Sequence, residues 1–412
     1  MNFLFLHPNF PGQYLQLSRY LGHTGRHNVM FLSAGTNGSR LQGVQVGIYK
    51  PKRKATKGVH HYIKTAEEAV LDGQAVIRAL DALRGKGFVP DVIVGHTGWG
   101  STLFAKDMYP NVPLIGYFEW YYSARGADVY YWPDEEPSMD DKMRIRMMNS
   151  HHLVNLQACD VRYTPTQWQK SQFPDEYRDS MRVLHEGIET DYFHPMTGAK
   201  LKLPRVNLDL TEAEEIVTYV SRGFEPYRGF PQFMDAIRIV LKERPNVHVV
   251  IIGQDQVCYG AKHRTGKGYK VVEEEKGGYD KERVHFIGHA TRDVYQQVLR
   301  ASTVHVYLTR PFVLSWSMLE AMSFECALVA SATPPVEEVV KDNVNGLLVS
   351  FREPKHIASR IMELLDDKEL RMRLGKAARE LMVQKYNRRD LTKKQANLVY
   401  KALNLPPEQI KR

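Results

Sequence analysis

Short, wholly apolar runs alternate along this chain with longer stretches in which apolar residues recur every three or four positions. Residues 3–6, 29–32, 92–94 and 114–117 are runs of the first kind and read as buried strands. Residues 66–83 are the clearest of the second kind, with Ala69, Val70, Gly73, Val76, Ile77, Leu80 and Leu83 on one helical face. A fresh series begins at 216–220 and continues at 247–252, 284–287, 304–308 and 328–330, and Ile357, Ile361, Leu364 and Leu365 mark a late helix. The polar segment 197–215 separates the two series and reads as a linker. Strands alternating with helices predict mostly parallel sheets covered on both faces. The expected architecture is α/β, with two doubly wound domains in tandem and a cleft between them. The domains are expected at 1–195 and 196–385, with a final helical segment, 386–412, joining the first.

Composition narrows the class without changing that picture. The 412 residues suffice for two real cores, and 43% hydrophobic with 25% charged residues is ordinary for a globular protein. No apolar run approaches the roughly 20 residues that span a bilayer. The opening Met1-Asn-Phe-Leu-Phe-Leu-His7 lacks the flanks of a signal peptide and reads as a first strand. Three widely spaced cysteines without Cys-x-x-Cys suggest a reduced, cytoplasmic protein. The net charge of +9 is uneven: the segment 352–412 holds 16 Lys or Arg against 8 Asp or Glu, and a second cluster spans Lys50, Lys52, Arg53, Lys54 and Lys57. Such clusters are most simply solvated surfaces; the sharper reading is attraction to an anionic acceptor or to the inner face of a membrane. Nucleic acid is disfavoured, because the basic residues are not interleaved with aromatics and form no known binding module.

The residues that carry chemistry cluster after strands. From Val306 the chain runs through a small-residue loop, Pro311-Phe-Val-Leu-Ser-Trp316-Ser, into a helix bearing Glu320. A strand–loop–helix junction of this kind offers backbone N–H groups and the positive end of a helix dipole to a phosphate. Glu320, about a turn in, could accept hydrogen bonds from ribose hydroxyls. Arg222 and Arg228 flank a turn after the second series' first strand, where a pair of guanidiniums could clamp a diphosphate and stabilise it as a leaving group. The bland alternative is an exposed turn with ion pairs to Glu225. Near the start, His7-Pro-Asn-Phe-Pro-Gly12-Gln13 forms a turn-rich loop in which Gly12 permits close backbone approach. His96 and Glu119 each follow a strand, and Glu119 sits among aromatics suited to sugar rings. The chain has no Asp-x-Asp, no metal-ligand spacing and no dinucleotide, P-loop or hydrolase signature.

Together these residues resemble the retaining glycosyltransferases of family four, which have the two-Rossmann-domain GT-B architecture. The resemblance covers nearly the whole chain. It is carried by residues 312–329, by Glu338-Val-Val-Lys-Asp-Asn-Val-Asn-Gly-Leu-Leu-Val349, by His185-Glu-Gly-Ile-Glu-Thr-Asp-Tyr-Phe193 and by Val284-His-Phe-Ile-Gly288. It implies that Arg222 and Arg228 meet the donor diphosphate and that the backbone of Trp316 and Ser317 meets its phosphates. Val313, Leu314 and Ser315 would meet the donor sugar and Glu320 the ribose. Gly12 and Gln13 would lie near the acceptor and phosphate, and Gly253, Gly288 and His289 on the donor side. Three positions depart from the family pattern: Phe312 replaces the first glutamate of Glu-x7-Glu, Glu119 stands where a histidine is usual, and Thr333-Pro-Pro335 replaces common glycines. The motif set resembles a bacterial subgroup associated with surface or envelope polysaccharide assembly.

The resemblance thus implies transfer of a hexose from a nucleoside diphosphate sugar to the hydroxyl of a carbohydrate or lipid-linked acceptor, with retention and without a metal or other cofactor. UDP and glucose are the preferred carrier and sugar, with GDP-mannose open. A non-catalytic nucleotide-sugar sensor or scaffold is the alternative that the missing glutamate raises.

Overall fold

The structure is a computed structural model that describes residues 1–406 apart from Thr24 and Asn37. It divides into two compact units, residues 1–187 with 388 onward, and residues 188–387. The first unit is built on seven parallel strands: β1 Asn2–Leu6, β2 Asn28–Ser33, β3 Val44–Ile48, β4 Val92–His96, β5 Leu114–Tyr117, β6 Val161–Thr164 and β7 Met181–Val183. Their order is β3-β2-β1-β4-β5-β6-β7. Burial of both faces explains why the central runs 3–6, 29–32 and 92–94 are apolar throughout. Phe3 and Phe5 of β1 point to one face, where they join Phe31, Tyr14, Leu17 and the helix Arg388–Ala402 through Ala396, Val399 and Tyr400. Leu4 and Leu6 point to the other and meet Ala75, Val76 and Leu80 of the helix Lys64–Arg84. Of the expected final segment, 407–412 lie outside the described residues.

The second unit begins with an antiparallel hairpin, β8 Leu201–Leu203 and β9 Leu208–Leu210. Six parallel strands follow: β10 Ile216–Gly223, β11 His248–Gln254, β12 Val284–Gly288, β13 Val304–Tyr307, β14 Leu328–Ser331 and β15 Leu347–Val349. Their order is β12-β11-β10-β13-β14-β15. The segment 197–215 is therefore not a linker. Leu201, Leu203, Leu208 and Leu210 alternate with polar residues and pack on Ile216, Val250, Ile252 and Val298, as one buried face of a hairpin must. Residues 188–195, placed with the first domain by sequence, sit with the second. Ile188 and Phe193 are buried in its core beside Met318, Met322 and Met382, and Arg379 donates to the carbonyl of Phe193.

Each sheet reverses its strand order once, between β1 and β4 in the first unit and between β10 and β13 in the second. At such a point the two loops leaving the strands' carboxyl ends run in opposite directions and open a crevice for ligands. In the first unit those loops begin at His7 and Thr97, and in the second at Phe224 and Leu308. This topology places the chemistry.

Candidate functional site

Two residue clusters occupy these switch points, one in each unit. In the first, the loop after β1 and the loop after β4 each fold back on their own histidine. The N–H of Asn9 donates to His7 Nδ1 at 2.9 Å, and that of Gly98 donates to His96 Nδ1 at 3.0 Å. An Nδ1 that accepts has no proton, so both rings carry theirs on Nε2. His7 Nε2–H then donates to Gln13 Oε1 at 2.7 Å, and the Gln13 amide donates to Glu119 Oε1 at 2.8 Å. The His96 Nε2–H faces Glu119 Oε2 at 3.5 Å, a long contact. A chain of donors thus runs from His7 through Gln13 into the Glu119 carboxylate, with His96 beside it.

The electrostatics agree with that chain. Burial opposes charge on Glu119, but the adjacent His96 and a hydrogen bond from Gln13 outweigh it and hold the carboxyl below its ordinary value. It is an anion at neutral pH, part-exposed, and able to accept from a hydroxyl. Burial lowers His7 to about 3, with His96 adding to the effect, so His7 is a fixed donor. Gly12 is needed for the same geometry: its φ is +52°, and a Cβ there would lie 2.7 Å from His7 Nε2. His7 was not singled out from sequence as a member of the site. Its signal was available in the strand-end position it shares with His96.

In the second unit Arg228 is buried, 8% exposed, at the start of the helix Phe230–Glu243. Its guanidinium donates to Tyr307 Oη at 3.0 Å, Thr309 Oγ1 at 2.8 Å and the Val313 carbonyl at 3.2 Å. The rings of Tyr259 and Phe312 flank it at 5.4 and 5.5 Å. All of these partners are neutral, and among the described residues no carboxylate is within ion-pair distance of it. Glu225 is near enough to feel its charge, but it binds the N–H groups of Cys258 and Tyr259 at 2.7 and 2.8 Å, and burial raises its pKa. Ion pairing of the arginine turn to Glu225 is therefore not what this loop does. Phe312, in place of a glutamate, packs edge-on against Tyr227 and Tyr259 and completes the aromatic surround.

The junction after β13 is as tight as its sequence implies. Ser315 caps the helix Trp316–Ser323 by accepting from the Ser317 N–H, and its own N–H donates to Tyr307 Oη at 2.9 Å. Tyr307 therefore ties the cap to Arg228. Leu314 anchors the loop in the core at 5% exposure, while Trp316 is exposed. Glu320 accepts from the Tyr295 hydroxyl at 2.6 Å, a partner on the helix Arg292–Arg300 that sequence reasoning missed.

The remaining expected residues are dispersed. Arg222 is exposed, and its carbonyl accepts from the Gln256 amide. Gly253 is buried, and a Cβ there would meet the Ser221 carbonyl at 2.2 Å, so the glycine serves strand approach. Gly288, with φ +71° and open space around it, ends β12 beside exposed His289. Among the described residues no group of three or more His, Cys, Asp or Glu could hold a metal ion. No helix there is long and apolar enough to cross a membrane.

The comparisons with known proteins match both halves. Residues 25–193 match the family described as glycosyl transferase family 4 group, and residues 205–381 match glycosyl transferases group 1. A D-inositol 3-phosphate glycosyltransferase of Corynebacterium efficiens is 24% identical over 388 residues, covering 87% of each chain. Among solved structures, sucrose-phosphate synthase from Thermosynechococcus elongatus superposes with a TM-score of 0.71 at 18% identity, covering 98% of both chains. Anabaena HepE in complex with UDP-glucose gives 0.71 at 15% identity, covering 97% of this chain and 100% of that one. At such identities the structural likeness speaks to the fold, which is GT-B, while the sequence matches speak to descent. The chain belongs to the glycosyltransferases, with a family 4 group segment followed by a group 1 segment.

Proposed function

We propose that this glycosyltransferase moves a hexose from a nucleoside diphosphate sugar to an acceptor hydroxyl, with retention at the anomeric carbon. The observation that carries the donor half is Arg228, a buried guanidinium surrounded by neutral acceptors and π faces. An uncompensated buried cation is costly, and a diphosphate is the anion that its fork and the nearby helix terminus suit. Arg222, exposed near the end of β10, supplies the second cation. The capped start of the helix at Trp316 and Ser317 faces the phosphates with its positive dipole end, Glu320 takes the ribose, and Val313 to Ser315 line the sugar. UDP-glucose is the preferred donor, supported by family resemblance and by the UDP-glucose bound in HepE.

The acceptor falls to the first unit. There Glu119, kept ionised by Gln13 and His96, receives a hydrogen bond from the incoming hydroxyl and fixes its direction. The anomeric C–O bond to the diphosphate breaks as the new C–O bond forms on the same face. The hydroxyl proton passes to the departing phosphate oxygen, so no protein nucleophile is needed. Charge on the leaving group is neutralised by guanidiniums and a helix end rather than by a metal. The reading places the enzyme in the cytoplasm, at the inner face of a membrane where bacterial surface polysaccharide is assembled.

Incubation with UDP-, GDP- and ADP-sugars tests this. Release of nucleoside diphosphate, lost in Arg222→Ala, with an α-linked product by NMR, is the expected result. Binding of a nucleotide sugar with no turnover, even after acceptors are supplied, would favour the sensor or scaffold instead.

A further inference from the structure

Glu225 lies wholly buried in the turn that follows β10, shortly before Arg228. One carboxylate oxygen, Oε2, accepts from the N–H groups of both Cys258 and Tyr259, at 2.7 and 2.8 Å. The other, Oε1, is buried without a hydrogen-bond partner. A carboxyl so placed has no surface to offer a ligand, and burying it with one oxygen bare is costly. What it does is hold a loop. The segment 255–268 connects β11 to the helix Tyr269–Lys276. Its ends are drawn together where Asp255 Oδ1 accepts from the Lys270 N–H at 3.0 Å, and the Gln256 amide ties it to the Arg222 carbonyl. The two bonds to Glu225 pin it again, at Tyr259.

Tyr259 is the residue this latch presents to Arg228. Its ring centroid lies 5.4 Å from Arg228 Cζ and packs on Tyr227 and Phe312 at centroid distances of 5.8 and 5.0 Å. Those neighbours fix the ring, and the bond from its N–H fixes the backbone. The residue is half-buried, and its hydroxyl, with no hydrogen-bond partner among the described residues, keeps contact with solvent. An O–H held rigidly beside a cation and reachable from outside suits an anion that the cation also attracts. The loop has the matching sign: from 256 to 268 it carries Lys262, Arg264 and Lys267 and no Asp or Glu.

We propose that Tyr259 is a donor-binding residue, its hydroxyl donating to the diphosphate that Arg228 attracts, and that Glu225 is the positioning residue that sets it there. The proposal rests on the donor reading above and adds two residues to it. Glu225 acts only through the loop, by accepting from its backbone.

Titration calorimetry on the full chain with UDP, GDP and ADP, their nucleosides and UDP-glucose tests this, the variants being compared on whichever diphosphate the native protein binds. Tyr259→Phe keeps the ring and is expected to weaken that diphosphate tenfold or more, a difference of about 1.4 kcal/mol, with nucleoside binding and the melting temperature unchanged. Glu225→Met has similar size but no acceptor and is expected to weaken the diphosphate to the same degree. Glu225→Gln keeps an accepting oxygen and stays within about threefold of the native affinity. With Tyr259→Phe already present, Glu225→Met adds less than about threefold, because the two act through one contact. Unchanged diphosphate affinity in Tyr259→Phe overturns the proposal, as does a loss confined to UDP-glucose, which puts the hydroxyl on the sugar instead. Equal losses in Glu225→Gln and Glu225→Met, or full additivity with Tyr259→Phe, overturn the role of Glu225. Should Glu225→Met not fold, Tyr259→Phe and Glu225→Gln still decide: a tenfold loss in the first with near-native affinity in the second supports the proposal, and any other pair of results overturns it. Native binding of a diphosphate with no loss in Tyr259→Phe sinks this inference alone; absence of any nucleoside diphosphate binding sinks the reading beneath it.

Discussion

Arg228 combines two tasks. Its guanidinium supports Tyr307, Thr309 and Val313, and it also supplies the positive charge assigned to the donor. Arg228→Lys keeps the charge but loses the fork, so donor affinity is expected to fall by about 1–3 kcal/mol, and the loss of its buried contacts lowers the melting temperature as well. Calorimetry beside a thermal melt reads both, and unchanged affinity would contradict the role. Gly12 allows an equally sharp test. Its positive φ and the 2.7 Å approach to His7 leave no room for a methyl group. Gly12→Ala is expected to cost about 1–3 kcal/mol in stability and to lower transfer by displacing His7 from Gln13. Full activity in that variant would detach the donor chain from catalysis. A third expectation concerns charge on the leaving group. If guanidiniums supply it, prolonged EDTA treatment leaves the transfer rate unchanged, and a loss restored by a divalent cation would refute the assignment.

At the scale of elements, much was legible because strand and helix speak in different periods. The runs at 3–6, 114–117 and 328–330 lie in parallel strands because both faces of each are buried, and the three-and-four repeat at 66–83 falls within the helix Lys64–Arg84. The hairpin escaped because its strands are three residues long, and Leu-Lys-Leu with Leu-Asp-Leu is too brief to stand out in a polar stretch. It is nonetheless core. Leu203→Ala is expected to lower stability by about 2–5 kcal/mol in denaturant unfolding, whereas a true linker would tolerate it with no measurable change. What the sequence offers of the candidate site lies at strand ends, where His96, Glu119 and the loop before Glu320 fall. The site was illegible where a partner arrives from elsewhere in sequence. Tyr295, Tyr307 and Tyr259 join Glu320 and Arg228 only through the sheet order, which no local pattern encodes. Tyr295→Phe is expected to raise the donor KM several-fold with kcat nearly unchanged, since it removes one hydrogen bond that orients Glu320 without touching the bond that breaks.

Across the whole molecule, burial of neutral histidines sets the response to acid. His7 and His305 are lowered by burial to about 3, and His285 to about 4, against 6.5 when unfolded. Between these values the unfolded chain binds more protons, so stability is full above pH 6.5 and declines as pH falls toward 4. Asp72, raised to about 6, acts in the opposite sense between pH 6 and 4 and offsets part of the loss. The net expectation is a decline on the order of several kcal/mol over that interval, measured by urea unfolding at fixed ionic strength. A flat profile would contradict the neutral assignment of these rings.

The GT-B fold repeats one device, a reversal of strand order, and in its second copy the reversal sets a buried cation beside a helix terminus. Nucleoside diphosphates compared with their own nucleosides test that device most directly. In thermal melts with UDP, GDP and ADP, at least one diphosphate at a hundredfold its dissociation constant should stabilise the protein by about 2.7 kcal/mol, and the matching nucleoside should do almost nothing. Equal stabilisation by nucleoside and diphosphate, or none by any of the three, would contradict a pyrophosphate held by Arg228.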